Sequence, residues 1–248
     1  NSLDIFLDAK LTSTEVELVK KNINLRSKDR IPAAYILQEA WLREFKFYVN
    51  EDVLIPRSHL ADLLFDQIDV WISNTDTVHT ALDLCTGSGC LAVLAAQQFQ
   101  EATIYASDIS KDALSVCVKN IESYRLTDQI IPTESDLFSN IDNQFDLIIS
   151  NPPYVDQQTM NRLPIEFLKE PQIALAGGTE GIDLIQKIII EAPKYLNANG
   201  VLIMEVGRDR KVIETKFPRI NFTWIETQAG RDFVLFVTRE DLRLGLTN

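Results

Sequence analysis

Long apolar runs are absent from this 248-residue chain. None approaches the roughly 18 consecutive apolar residues a helix needs to cross a bilayer. Nothing near the start joins basic residues to an apolar stretch as a secretory leader does, although the chain begins at Asn1 and not at Met, which leaves a trimmed leader open. Cysteine is scarce: Cys85, Cys90 and Cys117 are an odd number without the spacing of a disulfide framework, as expected of a reducing, cytoplasmic setting. With only two His in the chain and none beside Cys85 and Cys90, no metal site is expected and the thiols read as buried and unreactive. Nine Gly and nine Pro exclude a collagenous or low-complexity chain, and 46% hydrophobic with 24% charged residues excludes intrinsic disorder. Basic residues are the other shortage, 24 against 36 acidic ones, for a net charge of −12. Such a chain repels a polyanion, so direct DNA binding is not expected, and its acidic surface favours a basic macromolecular partner.

What is present reads as two units, within a prior of about 100–200 residues per domain. Residues 1–76 are expected to form a small helical N-terminal domain that aids substrate recognition. Thr12-Ser13-Thr14-Glu15 offers a capped helix start with Val16, Leu18 and Val19 as an apolar face, and a second helix is expected over 32–43. A short β-hairpin linker at about 45–57 would use strands at 45–49 and 53–55, and helical spacing returns over 58–72 through Leu60, Leu63, Leu64 and Ile68. From 77 to 248 short apolar strands (81–85, 103–107, 129–133, 145–150, 201–206) alternate with helices (91–98, 111–123, 182–196), which predicts a parallel sheet with helices on both faces. Strands at 221–226 and 233–238 are too closely joined for a helical crossover and predict an antiparallel hairpin. The expected fold class is therefore α/β. This architecture resembles the seven-stranded, Rossmann-like sheet of class I S-adenosylmethionine-dependent methyltransferases.

Asp83-Leu84-Cys85-Thr86-Gly87-Ser88-Gly89-Cys90 follows a strand and opens a helix. Its glycines let the backbone turn tightly beside a ligand, and the free N–H groups of the helix start suit an anionic group such as a carboxylate. Two cofactors fit. Gly87-x-Gly89-x-x-Ala92 with Asp108 further on also matches a dinucleotide site, which would make the chain an oxidoreductase, and either cofactor has a ribose for Asp108 to bind. Asp83 favours a ligand bearing an ammonium and a sulfonium over a pyrophosphate.

The most informative stretch is an apolar strand running into Asn151-Pro152-Pro153-Tyr154. A planar NH2 group is a poor nucleophile because its lone pair is delocalised. Acceptors on both hydrogens hold it and return electron density to nitrogen; the Asn151 side-chain oxygen and the Pro152 carbonyl supply them. The prolines bring no competing N–H and keep Asn151 extended, while Tyr154 stacks on the flat group. Catalysis is then alignment and electrostatics, with no general base or metal required.

These residues resemble the amino-methyltransferases that carry Asn-Pro-Pro-Tyr. Asn50-Glu51-Asp52-Val53-Leu54-Ile55-Pro56-Arg57 and Ala174-Leu175-Ala176-Gly177-Gly178-Thr179-Glu180-Gly181 are similar to the HemK/PrmC/PrmB family, which methylates glutamine side chains in proteins. Pro56-Arg57-Ser58-His59-Leu60, Ala40-Trp41 and Phe222-Thr223-Trp224 look more like its PrmB branch than its release-factor branch. The resemblance implies S-adenosylmethionine as cofactor and a glutamine of large-subunit ribosomal protein three as acceptor, with peptide chain release factors as the alternative. It implies cofactor contacts from Asp83, Cys85, Thr86, Gly87, Ser88, Gly89, Asp108, Asp136, Leu137 and Asn151. Asn151, Pro152 and Tyr154 become the catalytic residues, and Pro153 and Arg57 join them in binding the substrate.

Overall fold

The computed structural model describes residues 9–72, 74–207, 210–228 and 230–247. Residues 1–8 of the expected N-terminal domain lie outside them. The first helix among the described residues is α1 (Ser13–Ser27), started by a capping box in which Thr12 accepts from the Glu15 N–H while Glu15 accepts from Thr12. The cap matches the sequence, but the apolar face stays largely open: no α1 residue is fully buried, and Leu18 and Val19 are exposed.

Four expectations for the following segment need correction. The second helix, α2 (Ala33–Leu37), stops well short of residue 43 because Gln38 takes a left-handed conformation at φ 53°. The chain then forms a hairpin from β1 (Ala40–Leu42) and β2 (Phe45–Phe47), turning at Arg43 with φ 54°. The hairpin therefore occupies 40–47, not 45–57. Residues 53–55 form no strand, because side chains satisfy their backbone: the Tyr35 hydroxyl donates to the Val53 carbonyl and the Ile55 N–H to Glu170. The helix expected over 58–72 is broken at Gln67 into α3 (His59–Asp66) and α4 (Ile68–Trp71). Its apolar stripe is as read, with Leu60, Leu63, Leu64 and Ile68 all buried.

The α/β alternation follows: β3 (Thr80–Leu84), α5 (Cys90–Gln98), β4 (Thr103–Asp108), α6 (Lys111–Ser123), β5 (Ile130–Glu134), β6 (Phe145–Ser150), α7 (Gln157–Met160), α8 (Asp183–Tyr195) and β7 (Leu196–Glu205). It closes with α9 (Arg210–Lys216), β8 (Thr223–Thr227), β9 (Gly230–Thr238) and α10 (Arg239–Leu246). The strands form one seven-stranded sheet in the order β5-β4-β3-β6-β7-β9-β8. β3 to β7 pair in parallel, β9 runs antiparallel to β7, and β8 antiparallel to β9.

Alternation along the strands divides the core in two. Ala81 packs with the α3 residues Leu60, Leu63 and Leu64 and with α5, which is apolar all round because both its sides are covered. Leu82 and Leu84 point the other way, onto the α8 residues Ile185, Ile188 and Ile189. Each fully buried Leu or Ile stabilises by roughly 1.5–3 kcal/mol before entropy is counted. Strand order reverses between β3 and β6, where Leu84 lies opposite Ser150. In open parallel sheets the loops beyond such a point form a crevice. No helix among the described residues is long and apolar enough to cross a membrane.

Candidate active site

Two adjoining clefts occupy that crevice. The first is lined by Cys85, Thr86, Gly87 and Ser88 after β3, by Asp108 and Ile109 after β4, and by Asp136 and Leu137 after β5. The second is lined by Pro152, Tyr154, Val155, Leu163, Phe167 and Leu175. Asn151, Pro153, Arg57, Leu54 and Ala174 line both, so the two form one continuous site with Asn151 at the junction.

The first cleft is shaped by backbone geometry. Cys85 and Leu137 hold left-handed φ values of 63° and 49°, which non-glycine residues seldom adopt. Asp108 accepts from the Gly87 N–H at 2.9 Å with one oxygen and from the Ser110 N–H at 2.9 Å with the other. Burial raises its pKa, against the pull of those two bonds. Burial also pushes the thiols of Cys85, Cys90 and Cys117 up, which keeps them protonated and inert.

Two residues expected to touch the cofactor stand back from the cleft. Gly89 starts α5 at φ 78° with its backbone against Cys117, where a Cβ would meet the sulfur at 2.5 Å. Asp83 is fully buried beneath the loop and accepts from Thr86 Oγ1 at 2.5 Å and the Ala92 N–H at 2.9 Å. It ties the loop to the first turn of α5. Its Oδ1 has no hydrogen-bond partner among the described residues, and burial raises its pKa to about 7.

The second cleft is assembled from distant side chains. Asn151 Nδ2 donates to the Arg57 carbonyl at 3.3 Å, a bond that assigns the amide and leaves Oδ1 as the acceptor without a partner among the described residues. The Arg57 guanidinium pairs with Glu170 at 2.9 Å and lies 4.9 Å from the centroid of the Phe167 ring, so Arg57 shapes the pocket through its backbone as well as its charge. Glu170 is 5% exposed and also accepts from the Ile55 N–H, which makes it the anchor of the 55–57 segment. Glu205, 3% exposed at the end of β7, accepts from the Tyr154 hydroxyl at 3.0 Å. Burial, reinforced by that carboxylate, raises the Tyr154 pKa and keeps the phenol neutral. Sequence reading did not single out Glu205. A carboxylate inside the otherwise apolar run 201–206 was the available signal.

The donor set fits S-adenosylmethionine better than a dinucleotide. Asp108 and Asp136 line the first cleft with Arg57 the sole Lys or Arg among the lining residues, an arrangement suited to a cationic ligand and adverse to a pyrophosphate. Leu137 and Ile109 offer apolar surface for a base, and Asp108 keeps lone pairs for ribose hydroxyls.

Comparison with known proteins places this geometry in context. The family model described as methyltransferase small domain matches residues 62–180. The ribosomal protein uL3 glutamine methyltransferase of Neisseria gonorrhoeae is 47% identical over 237 residues, covering 96% of this chain and 79% of that protein. The protein of the same name from Bordetella pertussis is 43% identical over 243 residues, covering 98% and 82%. A solved methyltransferase from Pyrococcus furiosus superimposes with a TM-score of 0.57 at 15% identity, covering 92% of this chain and 99% of that one, a likeness of fold.

Proposed function

The chain belongs to the family of ribosomal protein uL3 glutamine methyltransferases, and from that membership we propose that it methylates the side-chain amide nitrogen of a glutamine in uL3, with S-adenosylmethionine as methyl donor. The observation that carries the reading is the placement of Asn151 where the two clefts meet, its NH2 engaged by the Arg57 carbonyl and its oxygen left for an acceptor amide.

When bound, the cofactor supplies an electrophilic methyl on a positively charged sulfur. The protein's part is to hold and orient. Cys85, Thr86, Gly87 and Ser88 bind the methionine portion, Asp108 the ribose, and Asp136 and Leu137 flank the adenine. Asn151 Oδ1 and the Pro152 carbonyl accept the two N–H hydrogens of the glutamine amide, which aligns nitrogen with the first cleft and raises its electron density. Tyr154 supports the flat amide. In the transfer the N–CH3 bond would form as the sulfonium's S–CH3 bond breaks, leaving a neutral thioether. The amide proton, made acidic by the forming bond, would leave to water, so no residue need act as a base beforehand.

The division of labour follows. Residues 77–248 carry the chemistry, and the N-terminal segment to residue 76 aids recognition. In support, α1 buries none of its own residues and is held by Arg26 and Arg30 on Glu166, beside Phe167 of the acceptor cleft. The net charge of −12 suits a basic ribosomal protein, and three free thiols suit the cytoplasm. The decisive experiment presents labelled S-adenosylmethionine with purified uL3 and, separately, with release factors, and maps the label by mass spectrometry. A methyl on a uL3 glutamine is expected; label confined to release factors, or on no glutamine, overturns the assignment.

A further inference from the structure

One buried carboxylate joins the two walls of the acceptor cleft. Glu205 Oε1 accepts from the Tyr154 hydroxyl at 3.0 Å. Glu205 Oε2 accepts from Ser58 Oγ at 2.7 Å and from the His59 N–H at 3.0 Å. None of these three donors carries a charge. Ser58 and His59 directly follow Arg57, whose carbonyl orients the Asn151 amide. The same carboxylate therefore fixes the ring of Tyr154 from one side and, through two residues of backbone, the acceptor for Asn151 from the other.

Its surroundings argue for a role beyond packing. Glu205 follows the apolar run Val201–Met204 at the end of β7 and is 3% exposed. Leaving a carboxylate there is costly compared with a well-packed apolar residue. The cost is sensible if the position must hold donors arriving from two directions, which a charged acceptor does with short, directional bonds. The Tyr154 ring is further confined by Gly207, where a Cβ would come within 2.8 Å of the ring. With hydroxyl and ring edge both fixed, the face Tyr154 offers the cleft has one orientation.

We propose that Glu205 is a positioning residue for amide methylation, setting Tyr154 through its hydroxyl and Asn151 through the 57–59 backbone. This rests on the glutamine-methylating reading above. It touches neither acceptor nor cofactor, so its effect belongs to turnover and not to cofactor affinity.

The test is Glu205→Gln, alone and with Tyr154→Phe, read as kcat, acceptor KM and cofactor Kd. Gln keeps one acceptor oxygen but places an NH2 where the second oxygen received Ser58 or Tyr154. Turnover is expected to fall about tenfold or more, with cofactor Kd within about twofold and acceptor KM within about threefold. Tyr154→Phe alone is expected to lower kcat by about threefold to fivefold, and to add less than about twofold on top of Glu205→Gln, because both break the same bond. Turnover of Glu205→Gln within about twofold of wild type overturns the proposal. So does a cofactor Kd that weakens in step with kcat, or single effects that multiply in the double variant. Should Glu205→Gln not fold, Ser58→Ala combined with Tyr154→Phe removes two of the donors and leaves the carboxylate in place. That pair must then reproduce the loss of turnover with cofactor binding intact, and unchanged turnover overturns the proposal. A wild-type protein that methylates no glutamine fails the functional reading and takes this inference with it; an active wild type matched by Glu205→Gln overturns the inference alone.

Discussion

The two halves of the site are built differently. On the cofactor side the key bonds are local: Thr86 to Asp83 spans 3 residues, Ala92 to Asp83 spans 9 and Gly87 to Asp108 spans 21. On the acceptor side they are remote: Asn151 to Arg57 spans 94 residues, Arg57 to Glu170 spans 113 and Ser58 to Glu205 spans 147. A loop held by its neighbours and by helix-start N–H groups is set once the βαβ unit folds. A pocket held by side chains from four separate segments is set only when the whole domain closes. The first arrangement gives a generic cofactor cradle, and the second lets the acceptor pocket change with few substitutions.

The sharpest way to break this contrast is pH, acting on Asp83. Its pKa lies near 7 in the folded protein, against an ordinary value near 4, because burial disfavours the charged form. The folded state therefore holds a proton that the unfolded chain has released. The stabilisation is fully present below about pH 4 and lost as pH rises through about 7, a swing on the order of 4 kcal/mol for a shift of roughly three units. Asp83→Asn, which cannot ionise, should gain on wild type by that amount between pH 4 and pH 7.5 in chemical unfolding. A constant difference across the range shows that the carboxyl is not desolvated and that the cradle is wetter than its burial implies.

Asn151→Ala addresses the other half and is expected to lower turnover by about tenfold to a hundredfold, the loss of an oriented hydrogen bond, while cofactor Kd stays within about twofold. Asp108→Ala should do the reverse: cofactor Kd weakens by about tenfold, and kcat at saturating cofactor changes by less than about threefold. Titration calorimetry and steady-state kinetics on both variants measure the separation directly. If each variant moved both parameters equally, the halves would be one cooperative unit.

The same contrast explains what the sequence revealed. The parallel strands, α5, α6 and the closing antiparallel hairpin follow from hydrophobic period and connection length, so their limits are legible to within a few residues. So are the loop glycines and the Asn-Pro-Pro-Tyr stretch, whose chemistry is contained in consecutive residues. Glu205 and Glu170 were not, because their meaning lies in partners more than 50 positions away: Tyr154 is 51 from Glu205, and Ile55 is 115 from Glu170. Residues 53–55 misled for a related reason. Val-Leu-Ile reads as a strand, yet a tyrosine hydroxyl and a carboxylate from elsewhere take the bonds a neighbouring strand would have made. Asp83 was legible as important but not as buried, since alternation along β3 says which face it shares and nothing of how deep that face lies.

The smallest expected effect tests how far the remote construction of the acceptor half extends. Glu166 receives Arg26 and Arg30 from α1 and its neighbour, on a loop whose Phe167 lines the acceptor cleft. Both arginines are nearly half exposed, so these pairs are screened by water and salt and contribute little to folding. If α1 recognises the acceptor protein, Glu166→Ala should leave the unfolding temperature within about 1 °C and raise the KM for full-length acceptor by about twofold to threefold. That increase should fade at high salt, where the wild-type pairs are already screened. A short glutamine peptide filling only the cleft should show no change in either protein. Equal loss for peptide and full-length acceptor would mean that Glu166 acts through Phe167 on the pocket itself, and α1 would then belong to the wall of the acceptor half and not to a separate recognition surface.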